Sequence, residues 1–419
     1  MKEVTATIIT IGDELLIGQT IDTNSAFIGQ ELTKAGIWLK RRVAVGDVRE
    51  EILDALAQQS RDNDIILVTG GLGPTADDIT KPALCAYFGA SLVVHEGALQ
   101  NVTDIFNRLG KPVTDRNRRQ AEVPDSCTVL PNQRGTAPGL WFEKDGVVYV
   151  AMPGVPHEMK GLLLDRVLPK IRERFTLPAI AHRTLLIAGK GESEIAEILE
   201  NFEGSLPPSI KLAYLPAYGM VRLRLTGKGD EQSSLEAAVA ARFDLLKGLV
   251  AEWMVADEDI SLPEAVSRLL KSKGRTLATA ESCTGGAIAQ MFTARPGASA
   301  LYNGGVVSYS NEAKQDLLNV SAATLASNGA VSEATVLEMA RGARHALRTD
   351  YAVATSGIMG PDGGSPEKPV GTVWIAVAGA AEARAQKFSF RFDRARNIEL
   401  TAHNALNFLR RFVLEMEGE

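Results

Sequence analysis

Between Thr279 and Gly286 the sequence reads TAESCTGG, which puts a carboxylate, hydroxyls, a thiol and two glycines within eight residues. A nucleophile placed where an apolar strand hands over to a helix can attack a carbonyl carbon. Free backbone N–H groups and the positive end of the helix dipole can hold an anion or oxyanion there. Leu277 and Ala278 read as the end of such a strand, and Ala287 to Phe292 as the first turns of the helix. The same pattern also suits an N-capping Ser or Thr followed by packing glycines.

A bare serine is a poor nucleophile near neutral pH and needs a base, usually a histidine or a lysine kept neutral by burial. In the last third of the chain only His345 and His403 are available, both on strongly helical stretches. Val306 to Lys314, VVSYSNEAK, reads as a strand, a Ser or Asn cap, and a helix carrying Lys314 in its first turn. Ser282 with Lys314 is therefore the leading pair, although a lone helix lysine is more often solvated and Tyr309 more often a half-buried strand residue. Cys283 is the rival nucleophile, since thiolates are intrinsically better, but a neighbouring residue points elsewhere and no histidine base is evident.

Two further loops could meet a ligand. Ile65 to Thr69 is an apolar strand running into Gly70-Gly71-Leu72-Gly73-Pro74-Thr75-Ala76-Asp77-Asp78, where backbone N–H groups could cradle a phosphate and the aspartates a divalent cation. A tight turn with an acidic first helical turn is the alternative. No GK[ST] ending makes this a Walker loop. Ser356 to Gly364, SGIMGPDGG, follows the strand Tyr351 to Thr355 and allows close backbone approach to a phosphate or ribose, or is a flexible surface loop. Arg116, Arg118 and Arg119 add positive charge that fits a solvated face or the phosphate side. His157-Glu158 lacks a second histidine and forms no HExxH site; Glu158 begins a helix.

The elements that must position these residues alternate. Strands at Val4 to Ile11, Trp38 to Val45 and Ile65 to Thr69 are separated by helical patterns at Asn24 to Ala35 and Glu50 to Gln59. That order predicts an α/β domain with a doubly wound, mostly parallel sheet and its ligands at the carboxyl ends of the strands. Beyond Pro178 the pattern predicts a small α+β unit, with strands near Thr184 to Ala188, Ile210 to Tyr214 and Met220 to Thr226 and helices near Glu192 to Leu199 and Gln232 to Leu246. The last domain is again α/β, with a helix at Pro263 to Lys273, a strand at Lys387 to Phe392 and a closing helix at Arg394 to Leu414. The expected domains are residues 1–175, 176–256 and 257–419.

A length of 419 residues suits two or three cores, and 45% apolar with 23% charged residues is ordinary globular composition. The net charge of −6 and the lack of a long basic run weaken a nucleic-acid reading. Three cysteines far apart, Cys85, Cys127 and Cys283, indicate neither a disulfide framework nor a structural zinc site. With no long apolar run, the expectation is a cytoplasmic protein without a membrane partner.

GDELLIGQTIDTNS, VGD at Val45 to Asp47, GGLGPTADD and MPGVPHEMK resemble the molybdopterin-binding-type domain that opens the CinA (competence/damage-inducible protein A) family, where it is similar to metal-dependent ADP-ribose pyrophosphatases. The resemblance implies that Gly70, Gly71, Gly73 and Thr75 cradle a diphosphate and that Asp47, Asp77 and Asp78 hold its divalent metal. Asp13 and Glu14 remain competing ligands. The middle segment resembles the family's KH-type fold without an RNA-clamping GXXG loop, since Gly189-Lys190-Gly191-Glu192 has the wrong spacing. It reads as a spacer or dimer element, so a homodimer is expected and RNA is not.

TAESCTGG, SYSNEAK, GIMGPDGG and KPVGTVW, in this order, resemble the family's carboxy-terminal domain, the nicotinamide mononucleotide (NMN) deamidases. The resemblance implies hydrolysis of NMN to nicotinate mononucleotide and ammonia without a cofactor. Ser282 would be the nucleophile, Lys314 its activating partner and Tyr309 an aid to proton transfer. Cys283, Thr284, Gly285 and Gly286 would hold the oxyanion side of the substrate, and Gly357, Gly360, Gly363 and Gly364 its nucleotide. Two alternatives stay open: a catalytically silent nucleotide-binding protein acting through protein contacts in DNA uptake or recombination, and a first domain serving molybdenum-cofactor assembly.

Overall fold

Strand Ile65–Thr69 is buried along its whole length. Its apolar side chains alternate between two cores, Ile65 and Leu67 entering one and Ile66 and Val68 the other. A strand covered on both faces reads as a continuous apolar run, which is why this segment lacks polar alternation. Each such side chain contributes roughly 2 kcal/mol by leaving water. The computed structural model describes residues 3–75, 77–217 and 219–418. Ala76, inside GGLGPTADD, lies outside the described residues, as do the first two residues of the amino-terminal stretch.

The chain divides into two compact units, Met1–Ala181 with Gly227–Ala237, and His182–Thr226 with Ala238–Glu419. In the first, a six-stranded sheet runs in the order Trp38–Val45, Thr5–Ile11, Ile65–Thr69, Val147–Met152, Gly139–Lys144, Thr128–Leu130. The first four strands pair in parallel, and Gly139–Lys144 pairs antiparallel with the neighbour on each side. Helix Thr23–Lys34 packs Ile28 and Leu32 on one face, and helix Arg49–Gln59 packs Ile52, Ala55 and Leu56 on the other. The chain therefore leaves Thr5–Ile11 to one side and returns on its other side. A crevice opens at the carboxyl ends of these strands, as in doubly wound sheets generally.

A small four-stranded sheet follows in the order Ile210–Ala217, Met220–Gly229, Ala179–Ala188, Met254–Ala256. Helix Glu192–Gly204 buries Ile195, Leu199 and Phe202, and helix Gln232–Leu249 buries Leu235, Val239, Phe243 and Leu246, each set at helical spacing. This is the KH-like middle portion.

The last sheet runs Tyr302–Val307, Leu277–Glu281, Tyr351–Gly357, Thr372–Ala378, Ala383–Ser389; the first three pair in parallel, and Thr372–Ala378 pairs antiparallel with the neighbour on each side. Leu277 and Val353 face a core shared with Ala405, Leu406 and Leu409 of the closing helix Arg394–Glu417. Ala278, Ala280, Ala352 and Ala354 face Val336, Met339 and Ala343 of helix Glu333–Ala346, their small side chains letting that helix approach closely. The strand expected at Lys387 to Phe392 lies earlier, at Ala383–Ser389. Its hairpin partner sets the register, pairing Ala378 with Ala383 and Thr372 with Ser389.

Candidate active site

All five residues of Leu277–Glu281 are buried, and the strand ends where its neighbours hold it on both sides. Ser308 N donates to Glu281 O at 2.9 Å, and Ser282 N donates to Thr355 O at 3.0 Å. Ser282, 9% exposed, thus sits at the rim of the parallel sheet between two fixed strand ends. Across from it, Ser310 caps helix Asn311–Leu318 by accepting from Ala313 N at 3.1 Å, which sets Lys314 one turn in.

Lys314 Nζ lies 3.1 Å from Ser282 Oγ, 2.7 Å from Ser308 O and 3.5 Å from Ser310 O. The side chain is 1% exposed, and burial pushes its pKa below the ordinary 10.5. Among the described residues no carboxylate is its hydrogen-bond partner. Nζ donates to all three oxygens; in the neutral form two protons would keep the Ser308 and Ser310 carbonyls and the lone pair would fall to the Ser282 hydroxyl.

Cys283 packs into the core, and burial pushes its thiol up to about 12. A raised pKa disfavours the thiolate at neutral pH and so favours Ser282 over Cys283 as the nucleophile. Thr284 turns its hydroxyl inward to Glu281 Oε2 at 2.7 Å, away from any substrate. Gly286 N, Ile288 N and Ala289 N also donate to the Glu281 carboxylate, at 3.0, 3.1 and 2.8 Å. The start of helix Ala287–Thr293, expected to offer free donors, is therefore taken by Glu281. Gly285 N closes a turn on Ser282 O, so that from Ser282 to Ala289 the N–H groups of Cys283 and Thr284 are the ones with no main-chain or carboxylate acceptor among the described residues.

A pocket of about 190 Å³ opens on this turn, lined by Ser282, Cys283, Tyr309, Lys314, Ser356, Gly357 and Arg394 among others. Tyr309 is 64% exposed, and its hydroxyl accepts from Arg394 Nη2 at 3.0 Å instead of touching Ser282 or Lys314. Arg394 Nη1 donates to Gly360 O at 2.8 Å. Gly357 lines the pocket and Gly360 serves as an anchor for Arg394, whereas Gly363 and Gly364 sit on an exposed loop outside it. His345 and His403 do not line it. Sequence reasoning missed Arg394. Its signal is two arginines opening the closing helix, where positive charge opposes the dipole.

In the first unit a crevice of about 530 Å³ lies at the carboxyl ends of Thr5–Ile11, Ile65–Thr69 and Val147–Met152. Gly70, Gly71 and Gly73 line it; Thr75 does not, and neither do Arg116, Arg118 and Arg119. Gly70 has φ +113°, and a Cβ there would meet Ile11 O at 2.2 Å, so no other residue fits where the two strand ends converge. Asp78 spends both oxygens on its own loop, accepting from Gly73 N and Thr75 N at 2.8 Å each and from the Thr75 hydroxyl. Asp47 and Asp77 line the crevice with Glu14. Burial, reinforced by the charges of Asp13, Glu14 and Asp77, raises the Asp47 pKa.

Among the described residues no three carboxylate, histidine or cysteine side chains stand close enough to hold a metal ion by themselves. Glu158, also missed as a crevice residue, is held by Asn132 Nδ2 at 2.6 Å, and burial raises its pKa. Among the described residues no helix is long and apolar enough to cross a membrane.

Residues 7–173 match the family model of a probable molybdopterin binding domain, residues 182–253 that of the damage-inducible protein CinA KH domain and residues 259–413 that of the CinA C-terminal domain. The chain is 45% identical over 412 residues to a CinA-like protein of Cytophaga hutchinsonii, covering 98% of this chain and 99% of that one. It is 39% identical over 409 residues to a putative competence-damage inducible protein of Halothermothrix orenii, covering 97% and 98%. A CinA superfamily protein of Klebsiella pneumoniae with a known crystal structure is 39% identical, covering 37% of this chain and 96% of that one, with a TM-score of 0.36.

Proposed function

This chain belongs to the CinA family, and on that premise we propose that it is a hydrolase of nucleotide metabolism whose carboxy-terminal site deamidates NMN to nicotinate mononucleotide and ammonia. The observation that carries this reading is Lys314, buried without a carboxylate partner, 3.1 Å from Ser282 Oγ. Lys314 takes the Ser282 proton while Oγ bonds to the carboxamide carbon. The C–N bond then breaks, and the Lys314 ammonium returns the proton to the leaving amine as ammonia. Water, deprotonated by the same lysine, adds to the acyl carbon and releases Ser282 and the carboxylate product.

The N–H groups of Cys283 and Thr284 would serve the developing oxyanion, each worth about 3 kcal/mol of transition-state stabilisation. Arg394, the cation at the pocket, pairs with the substrate phosphate. The test is ammonia release from NMN by the full chain and by Ser282→Ala; full activity of the alanine variant removes Ser282 from the mechanism.

The crevice of the first unit supports a second activity, hydrolysis of ADP-ribose. Gly70 N and Gly73 N already donate to Met152 O and Asp78, so the N–H groups of Gly71 and Leu72 would meet the diphosphate. A divalent cation there would be held by Asp47 and Asp77 together with substrate oxygens, because small hard cations use one or two carboxylates plus phosphate. The cation would neutralise diphosphate charge, and Asp78 would shape the loop. AMP release from ADP-ribose with and without divalent metal tests this. No release under either condition overturns the reading and leaves the deamidase alone.

A further inference from the structure

The carboxylate of Glu281 is fully buried and pairs with no lysine or arginine among the described residues. Oε2 accepts from Thr284 Oγ1 at 2.7 Å, Gly286 N at 3.0 Å and Ile288 N at 3.1 Å, and Oε1 accepts from Ala289 N at 2.8 Å. Burying a carboxylate away from water is costly unless donors replace the water, and four donors do so here. An ordinary helix cap uses one side chain directly before the first turn, a position held here by Gly286, which has none. Glu281 instead reaches forward across the turn that contains Ser282 and closes it into a ring.

We propose that Glu281 is the positioning residue of this site: by gathering Thr284, Gly286, Ile288 and Ala289 it holds Ser282 toward Lys314 and leaves the N–H groups of Cys283 and Thr284 open for the oxyanion.

Three connections support this role. The main-chain oxygen of Glu281 accepts from Ser308 N at 2.9 Å, and Ser308 O accepts from Lys314 Nζ at 2.7 Å, so nucleophile and base are both tied to this residue. Thr284 gives its proton to Glu281, so in the 2.8 Å contact between the two threonines Thr355 donates to Thr284. The same Thr355 accepts from Ser282 N, which locks the ring to strand Tyr351–Gly357. Finally, the Glu281 charge adds to burial in keeping the neighbouring Cys283 a thiol, which reserves the turn for an oxygen nucleophile.

The inference rests on the acyl-transfer reading, and the experiment separates the two. Steady-state ammonia release from NMN is measured for the full chain, Glu281→Gln, Glu281→Asp and Thr284→Val, together with the labelling rate of Ser282 by a fluorophosphonate. Glutamine keeps the shape of glutamate but brings an NH2 group against donors. Its kcat should fall by about 10- to 100-fold with KM within about threefold, because a misplaced nucleophile loses rate and not binding. Glu281→Asp should recover part of the loss.

Wild-type kcat in Glu281→Gln, or a fall in kcat matched by a rise in KM and a lowered melting temperature, overturns the proposal. If Glu281→Gln does not fold, Thr284→Val removes a single donor and should lower kcat about 3- to 10-fold at constant KM, and wild-type kcat there overturns the proposal instead. If the wild type is labelled at Ser282 yet releases no ammonia, the substrate reading fails. The positioning role is then judged on labelling alone: slower labelling of Glu281→Gln upholds it and an unchanged rate overturns it.

Discussion

Lys314 Nζ stands 3.1 Å from Ser282 Oγ across 32 residues of sequence, in a place where burial favours the uncharged amine. The acid form of Lys314 cannot take a proton, so activity should rise with pH as the lysine deprotonates and fall as pH drops through its depressed pKa. Lys314→Met should lower kcat by about 10²- to 10⁴-fold in an ammonia-release assay, the range for loss of a general base. A Met variant with an unchanged pH profile would assign the acid limb to another group.

Burial raises the Cys283 thiol to about 12, which disfavours its thiolate. Cys283→Ala should keep NMN turnover within about threefold and cost about 1 kcal/mol of stability, as small buried substitutions do. In the native protein at neutral pH iodoacetamide should leave this cysteine unmodified by mass spectrometry. Rapid, activity-linked alkylation would restore the thiol as nucleophile.

Tyr309 touches Arg394 Nη2 and neither member of the Ser–Lys pair. Its removal should therefore loosen a substrate contact more than it slows chemistry. Tyr309→Phe should raise KM about 3-fold, and Arg394→Ala, which deletes a charge-assisted contact, about 10-fold or more, each with a smaller change in kcat. If Tyr309→Phe instead turned over about 100-fold more slowly at constant KM, the phenol would be a proton carrier.

Asp47, Asp77 and Asp78 all line the crevice, but Asp78 also clamps Gly73 N and Thr75 N, each at 2.8 Å. Asp78→Asn should slow AMP release from ADP-ribose about 10-fold without changing the metal concentration needed, since it disturbs loop shape. Asp47→Asn should shift that metal requirement upward. Equal metal shifts in both variants would place Asp78 among the ligands.

Lys81 is brought down from 10.5 to about 8, chiefly by burial, and its Nζ donates to Gln120 O at 2.9 Å. Between those two values the unfolded chain binds more protons, so stability rises with pH there, and below about 8 the full penalty of roughly 3 kcal/mol applies. Lys81→Met escapes this penalty and loses a hydrogen bond worth about 1 kcal/mol. The variant should be more stable by about 2 kcal/mol at pH 7 in chemical denaturation, and the gain should vanish near pH 10. A variant less stable than wild type at pH 7 would show that the Gln120 contact outweighs desolvation.

Much of this protein was legible from residue order alone. Apolar runs such as Ile65 to Thr69 declare a strand covered on both faces, and glycines directly after them declare where the backbone must turn close to a ligand. Ser282 and Lys314 could be paired because Ser282 directly follows one clearly read strand and Lys314 sits in the first turn of the helix that follows its parallel neighbour, and parallel neighbouring strands bring such ends to one rim. What residue order left undecided was which polar groups remain free once the chain has folded. The donors after TAESCTGG looked available, yet Glu281, within the same motif, takes them. Asp78 looked like a metal ligand alone, yet it also holds the Gly73 and Thr75 N–H groups and so shapes its own loop. Gly363 and Gly364 resembled a nucleotide loop, yet only Gly357 lines the pocket and Gly360 holds Arg394, a residue 85 positions from the Tyr309 it binds. The reason is physical. Apolar periodicity is a local property repeated along the chain, whereas the assignment of each donor to an acceptor depends on tenths of an ångström between segments distant in sequence, and only the packed tertiary structure sets those distances.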